Sequence, residues 1–104
     1  MSAFIISHEE LFKLLNMMKP FVKMYTKKKA LKIILEVSFE NETLYMSIPN
    51  CTMTGACETT GNGIFSMQFL YFYDIVKTSK GKTITISLSD NKITVGQTSF
   101  KVLT

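Results

Sequence analysis

The side chains of this sequence best placed for chemistry are lysines. Lys13, Lys19, Lys23, Lys27, Lys28, Lys29 and Lys32 fall between Glu10 and Glu36 with no acid among them. All twelve basic residues are lysine, against eight acids, for a net charge of +4. An ammonium neutralises phosphate as a point charge, whereas arginine is the usual bidentate reader of guanine. The chemistry on offer is contact with a nucleic-acid backbone, independent of base sequence. Lys13, Lys19, Lys23, Lys27, Lys28 and Lys29 are the candidate phosphate contacts to duplex DNA. The competing reading is a solvated connector.

No other group of residues suits catalysis. His8 is the only histidine and reads as a first-turn residue of a helix rather than a catalyst. Cys51 and Cys57 lack close C-x-x-C spacing, and no second histidine completes a zinc site, so no metal or cofactor is expected. On one extended strand the two cysteines lie about 20 Å apart, far beyond the ~7 Å a disulfide tolerates. They read as small apolar core residues of a reducing compartment. Gly81-Lys82-Thr83 matches the end of a phosphate-binding loop, but position 76 is valine and a strand follows, not a helix. The carboxylates are scattered over turns and helix starts, with no acid–base pair. Binding, not catalysis, is the expectation.

Alternating and helical spacings supply the elements that would carry these residues. Phe4 to Ile6 is β-prone, and Ser7-His8-Glu9-Glu10 forms a capping box. Leu11, Leu14, Leu15 and Met18 follow at helical spacing, and Pro20 sets the helix end near Met18 or Lys19. Phe21 to Lys29 becomes a basic connector. Leu31, Ile33, Leu35, Val37 and Phe39 alternate on a strand ending at Glu40; Leu44, Met46 and Ile48 mark the next. Cys51, Met53, Gly55 and Cys57 share one face of a third strand, and Thr59 to Gly63 is a loop.

The order then recurs. Ile64-Phe65 is a short strand and Ser66 a candidate N-cap. Phe69, Phe72, Tyr73 and Val76 form a helical stripe to Lys77, before Lys80-Gly81 breaks it. Strands follow at Ile84 to Leu88, at Ile93 and Val95, and at Phe100 to Leu103, with Asp90-Asn91 as a turn. Two β-α-β-β-β units, at an offset of about 60 residues, make up the chain. Repeat one covers about 1–60 and repeat two 61–104, in one α+β domain. Each unit alone half-covers its helix. Together they can form a curved, mostly antiparallel sheet with two helices packed on one face. Phe69, Phe72 and Tyr73 read as core, whereas Leu70 and Tyr71 fall off that stripe and are the candidate protein interface. No apolar run reaches the ~18 residues of a membrane span, and Met1 to Ser7 has no secretory character, so the expected setting is the cytoplasm without membrane contact.

This doubled unit resembles the domains of DNA sliding clamps, and the residues are similar to those of the bacterial DNA polymerase III β subunit at a finer grain. Phe4-Ile5-Ile6-Ser7 with Glu10-Leu11-Phe12-Lys13-Leu14-Leu15 looks like the opening strand and helix. Leu35-Glu36-Val37 with Thr43-Leu44-Tyr45-Met46 is similar to the first hairpin. Phe72-Tyr73-Asp74-Ile75-Val76-Lys77 resembles the second helix, and Ile84 to Leu88, Asn91 to Val95 and Ser99 to Val102 the closing meander. The resemblance implies a part in DNA replication: six such domains joined head to tail through sheet edges, around duplex DNA, with partner proteins held on the outer surface. For a chain of one domain it implies a homo-oligomer or other clamp-like subunits. Without that assembly, the same fold would be a protein-interaction module for a replication or host protein.

Overall fold

The computed structural model describes residues 2–24 and 27–103. The chain runs β1 (Ser2–Ser7), α1 (His8–Lys23), α2 (Lys27–Ala30), β2 (Ile34–Glu40), β3 (Thr43–Ile48), β4 (Cys51–Ala56) and β5 (Glu58–Thr60). The second half runs β6 (Gly63–Gln68), α3 (Phe69–Thr78), β7 (Thr83–Ser89), β8 (Lys92–Val95) and β9 (Thr98–Lys101). The doubled α+β unit is thus present. Its strands divide between two antiparallel sheets, ordered β5-β1-β7-β8-β9 and β4-β3-β2-β6.

Each repeat gives its first strand to the other. β1 pairs with β7 along its whole length, from Ser2↔Leu88 to Ser7↔Thr83, and β6 pairs with β2 from Gly63↔Phe39 to Gln68↔Ile34. Matching backbone bonds lock the helix starts: His8 N–H donates to Lys82 C=O, and Phe69 N–H to Ile33 C=O, both at 2.9 Å. The hairpin turns match as well. Asn41-Glu42 and Asp90-Asn91 all have positive φ, between 48° and 65°, the twist that a two-residue hairpin loop requires. Cys57 N–H then bonds Glu42 C=O, and Val102 N–H bonds Asn91 C=O. The last strand of each repeat therefore bends over its own hairpin turn. Beyond the bend, β5 pairs with β1, and Leu103 N–H reaches Ser66 C=O on β6.

The buried side chains form one cluster drawn from both sheets and the inner faces of the helices. Leu11, Leu15, Met18 and Val22 are the buried stripe of α1; Phe69, Phe72, Tyr73, Ile75 and Val76 are the buried residues of α3. Phe4 on β1 and Phe39 on β2 meet with ring centroids 4.9 Å apart and join the sheets at their seam. Among the described residues no helix is long and apolar enough to cross a membrane.

Several boundaries differ from the sequence expectation. Helix α1 passes through Pro20 to Lys23. A proline there lacks the N–H that would bond the carbonyl of Asn16, but Pro20 and Asn16 are both exposed, so water can satisfy that carbonyl. Burial of Met18 and Val22 carries the helix onward. The expected connector is therefore helical at both ends, with Tyr25 and Thr26 outside the described residues. Leu31 does not join the second strand; it is 52 % exposed, and β2 begins at Ile34. Thr59 and Thr60, expected in a loop, lie on β5 because β1 offers them a ladder. Ser66 lies within β6 opposite Glu36, and the cap of α3 is Gln68, without a side-chain bond. The last strand is Thr98–Lys101 rather than Phe100 to Leu103.

Gly63 marks where the sheets meet. A Cβ there would lie 2.9 Å from both Leu88 and Phe39 and 3.0 Å from Ser2, three residues on two sheets. At Gly55 the single close atom is the flexible tip of Leu14, also at 2.9 Å. Gly63→Ala is expected to lower stability by about 1–3 kcal/mol through overpacking, and Gly55→Ala by clearly less, in urea unfolding followed by circular dichroism.

Candidate nucleic-acid and protein interface

The lysines expected to meet phosphate occupy the outer side of α1 and the α2 segment. Lys13, Lys23, Lys28, Lys29 and Lys32 are exposed, whereas Lys19 is half-buried. Its ammonium lies 4.3 Å from the ring centroid of Tyr73 on α3, a cation–π contact that draws it inward. For Lys27 the backbone lies in α2 and its side chain falls outside the described set.

The helix surface between these lysines is apolar. Met17, Phe21 and Met24 are 49, 37 and 77 % exposed. Spaced by four and three residues, they form one ridge to one side of the buried stripe. Lys13 lies one turn before the ridge, and Lys23 lies farther round the helix, one turn after Lys19. The tip of α1 is therefore a mixed surface: ammonium groups that suit phosphate or acid, and side chains that suit burial. The sequence carried this stripe, but reading Pro20 as a helix end hid it.

The two helices are tied together by polar contacts. The Tyr73 hydroxyl donates to Asn16 Oδ1 at 2.6 Å, and His8 Nε2 lies 2.6 Å from the Val76 carbonyl. His8 also stacks on Phe12, so the single histidine is occupied in joining α1 to the end of α3. Among the described residues no three of histidine, cysteine, aspartate and glutamate gather as a metal site. Burial, aided by the charge of Glu42, pushes the Cys57 thiol above its ordinary value of 9.0, away from an activated nucleophile.

The two residues expected at a protein interface separate. Leu70 is half-buried and packs against the core. Tyr71 is 48 % exposed, with its ring edge-on to Phe100 of β9 at 5.9 Å. Tyr71 therefore stands beside a terminal strand of the five-stranded sheet. β4 ends the four-stranded sheet. Its residues Cys51–Ala56 carry neither charge nor proline, the usual guards of an open edge.

A cleft of ≈ 400 Å³ opens beyond Tyr71, between the end of α3, the start of β7 and the β8–β9 turn. Ile75, Ile84, Val95 and Phe100 supply its apolar walls, Thr78, Ser79, Thr83, Thr85 and Thr98 line the rest with hydroxyls, and Lys80 is the one charged lining residue among those described. Helix α1 has 16 residues and α3 has 10. The cleft lies where a longer second helix would cover its sheet. Nothing in the local sequence pattern announces it.

Two outcomes separate structural from free groups. Lys19→Ala is expected to lower stability by about 0.5–1 kcal/mol through the lost ring contact, while Lys28→Ala leaves the thermal midpoint unchanged. Cys57 is expected to react with iodoacetamide more slowly in the folded protein than in urea at pH about 8.5, because folding holds the thiol protonated. Its stability contribution is full below the unfolded thiol's pKa. It is lost as pH rises through the folded one.

No protein-family model matches the sequence, and no curated protein matches it. Solved structures do. The DNA polymerase III subunit beta sliding clamp of Bartonella birtlesii superposes with a TM-score of 0.75 at 17 % identity, over 99 % of this chain and 29 % of that one. The beta subunit from DNA polymerase of Streptococcus pyogenes gives 0.77 at 14 % identity, covering 96 % and 30 %. Caulobacter crescentus pol III beta gives 0.74 at 18 %, covering 96 % and 29 %. This chain spans less than a third of each. At such identity the likeness speaks to architecture, and this chain has the fold of one sliding-clamp domain.

Proposed function

We propose that this chain is a non-catalytic, clamp-like binding subunit. Copies join head to tail, the β4 edge of one against the β9 edge of the next, and the lysines of α1 and α2 contact duplex DNA through its phosphates. The observation that carries this reading is the pair of terminal strands. β4 and β9 end different sheets, β4 is uncharged, and Tyr71 with Phe100 supplies an apolar flank at β9. Unguarded edges recruit strands, and a heterologous contact must close into a ring or polymerise. A charge set built of lysine alone suits DNA held without sequence preference. A cytoplasmic setting suits the two free cysteines.

A second reading rests on Met17, Phe21, Met24 and Tyr71. These exposed apolar side chains suit a protein partner, a replication or host factor, and gain nothing from phosphate.

Solution mass by light scattering at near-physiological salt tests the assembly. The expected result is one discrete closed oligomer. The β3–β4 hairpin closes on Ile48↔Cys51, so Thr52 and Thr54 direct their backbone groups to the open edge. Thr54→Pro should then give a folded monomer. A monomeric wild type sinks the assembly and leaves the second reading, in which Tyr71→Ala abolishes partner capture without unfolding. For DNA, a duplex of about 30 base pairs should bind with a salt slope that falls by about 2 in the Lys23→Ala/Lys28→Ala double variant. An unchanged slope removes those lysines from the interface.

A further inference from the structure

We infer that the cleft at the end of α3 is a strand-addition site for a short acidic peptide segment of a partner protein. The inference requires neither assembly nor DNA contact. Its basis is a half-used strand. β7 pairs with β1 from Thr83 to Leu88, but with β8 only from Ile86 to Ser89. The hairpin closes on Ser89↔Lys92 around a two-residue turn. Ser89, Ser87, Thr85 and Thr83 therefore direct their N–H and C=O groups toward the β8 side. β8 ends at Val95, opposite Ile86, and the chain turns away at Gly96, where φ is +65°. At Thr83 no described residue pairs on that side of the ladder.

The open groups of Thr83, beside a recess lined by both aliphatic and hydroxyl side chains, define the form of the ligand. An extended backbone satisfies the open groups, and alternate side chains point into the recess. Ile84 faces inward from this segment of β7 and, with Ile75, Val95 and Phe100, makes a slot for one aliphatic side chain of the guest. The hydroxyls of Thr78 and Ser79 are occupied by the carbonyls of Asp74 and Ile75, so the helix end asks little of the guest's polar groups.

Charge completes the assignment. Among the described residues Lys80 lines the cleft and no acid does, and Lys77 and Lys82 are exposed beside it in sequence. A guest with glutamate or aspartate flanking its aliphatic residue is complementary; a basic one is repelled. In the first repeat the longer α1 packs against β4, with Leu14 beside Gly55.

The probe is a fluorescein-labelled octapeptide of alternating isoleucine and threonine with glutamates at both ends, followed by anisotropy. It should bind saturably, and lysines in place of its glutamates should weaken it by about tenfold. Lys80→Glu should invert that preference. Thr98→Trp, which fills the cleft from an exposed strand position, should abolish binding with the thermal midpoint unchanged. Three results overturn the inference: no saturable binding of either peptide, equal binding of a peptide N-methylated at alternate amides, or binding retained in both variants. Binding that appears only after a wild-type oligomer is diluted apart also overturns it, since the occupant is then a second copy of this chain.

Discussion

The structure depends on an exchange of strands between its two halves. β1 completes the sheet of the second repeat, and β6 completes that of the first. Neither repeat can bury its own inner face without the strand it receives, so the two form together or not at all. The ring pair Phe4–Phe39 and the close approach at Gly63 lie on the line where these exchanged strands meet. That seam also explains why a chain of only 104 residues supports a substantial core. A linear pair of small sheets would leave each helix covering an open face.

Within this frame the two halves differ in one respect that matters for binding. The first repeat extends its helix through Pro20 and adds α2, which produces a tip rich in lysine with an apolar ridge. The second repeat stops its helix at Thr78 and leaves a cleft with aliphatic walls, hydroxyls around them and, among the described residues, one lysine. Protrusion and recess are both consequences of helix length laid over the same strand plan. Function in this fold thus resides in what is added to or withheld from the repeat, while the shared hairpins and turns maintain the frame.

The likeness to solved clamps is one of architecture at 14–18 % identity, and it covers under a third of those chains. The physical case for assembly comes instead from this chain's own terminal strands. Backbone groups on an open edge are the least expensive interface a sheet protein can offer, because pairing them requires no side-chain specificity. The lysines add a different capacity, a long-range attraction that strengthens as salt falls. Lys19 shows why counting them is insufficient: its contact with Tyr73 leaves it half-buried, unlike its exposed neighbours.

The sequence alone determined the α+β class, the duplicated unit, the alternating core of β2, β3 and β7, and the stripe of α3, because these follow from local periods of 2 and 3.6 residues. It also set the two tight turns at Asn41-Glu42 and Asp90-Asn91, where polar residues close hairpins between apolar runs. It could not place the end of α1, since burial of Met18 and Val22 overrides the local signal of Pro20. Nor could it place β5, whose three residues are a strand only because β1 lies beside them. The same holds for the binding surfaces. The lysines were legible as a cluster and Tyr71 as an outlier, but the ridge, the edge-on contact with Phe100 and the cleft needed the packed molecule. Periodicity is a property of neighbours along the chain; an edge or a recess exists only where distant segments meet or fail to meet.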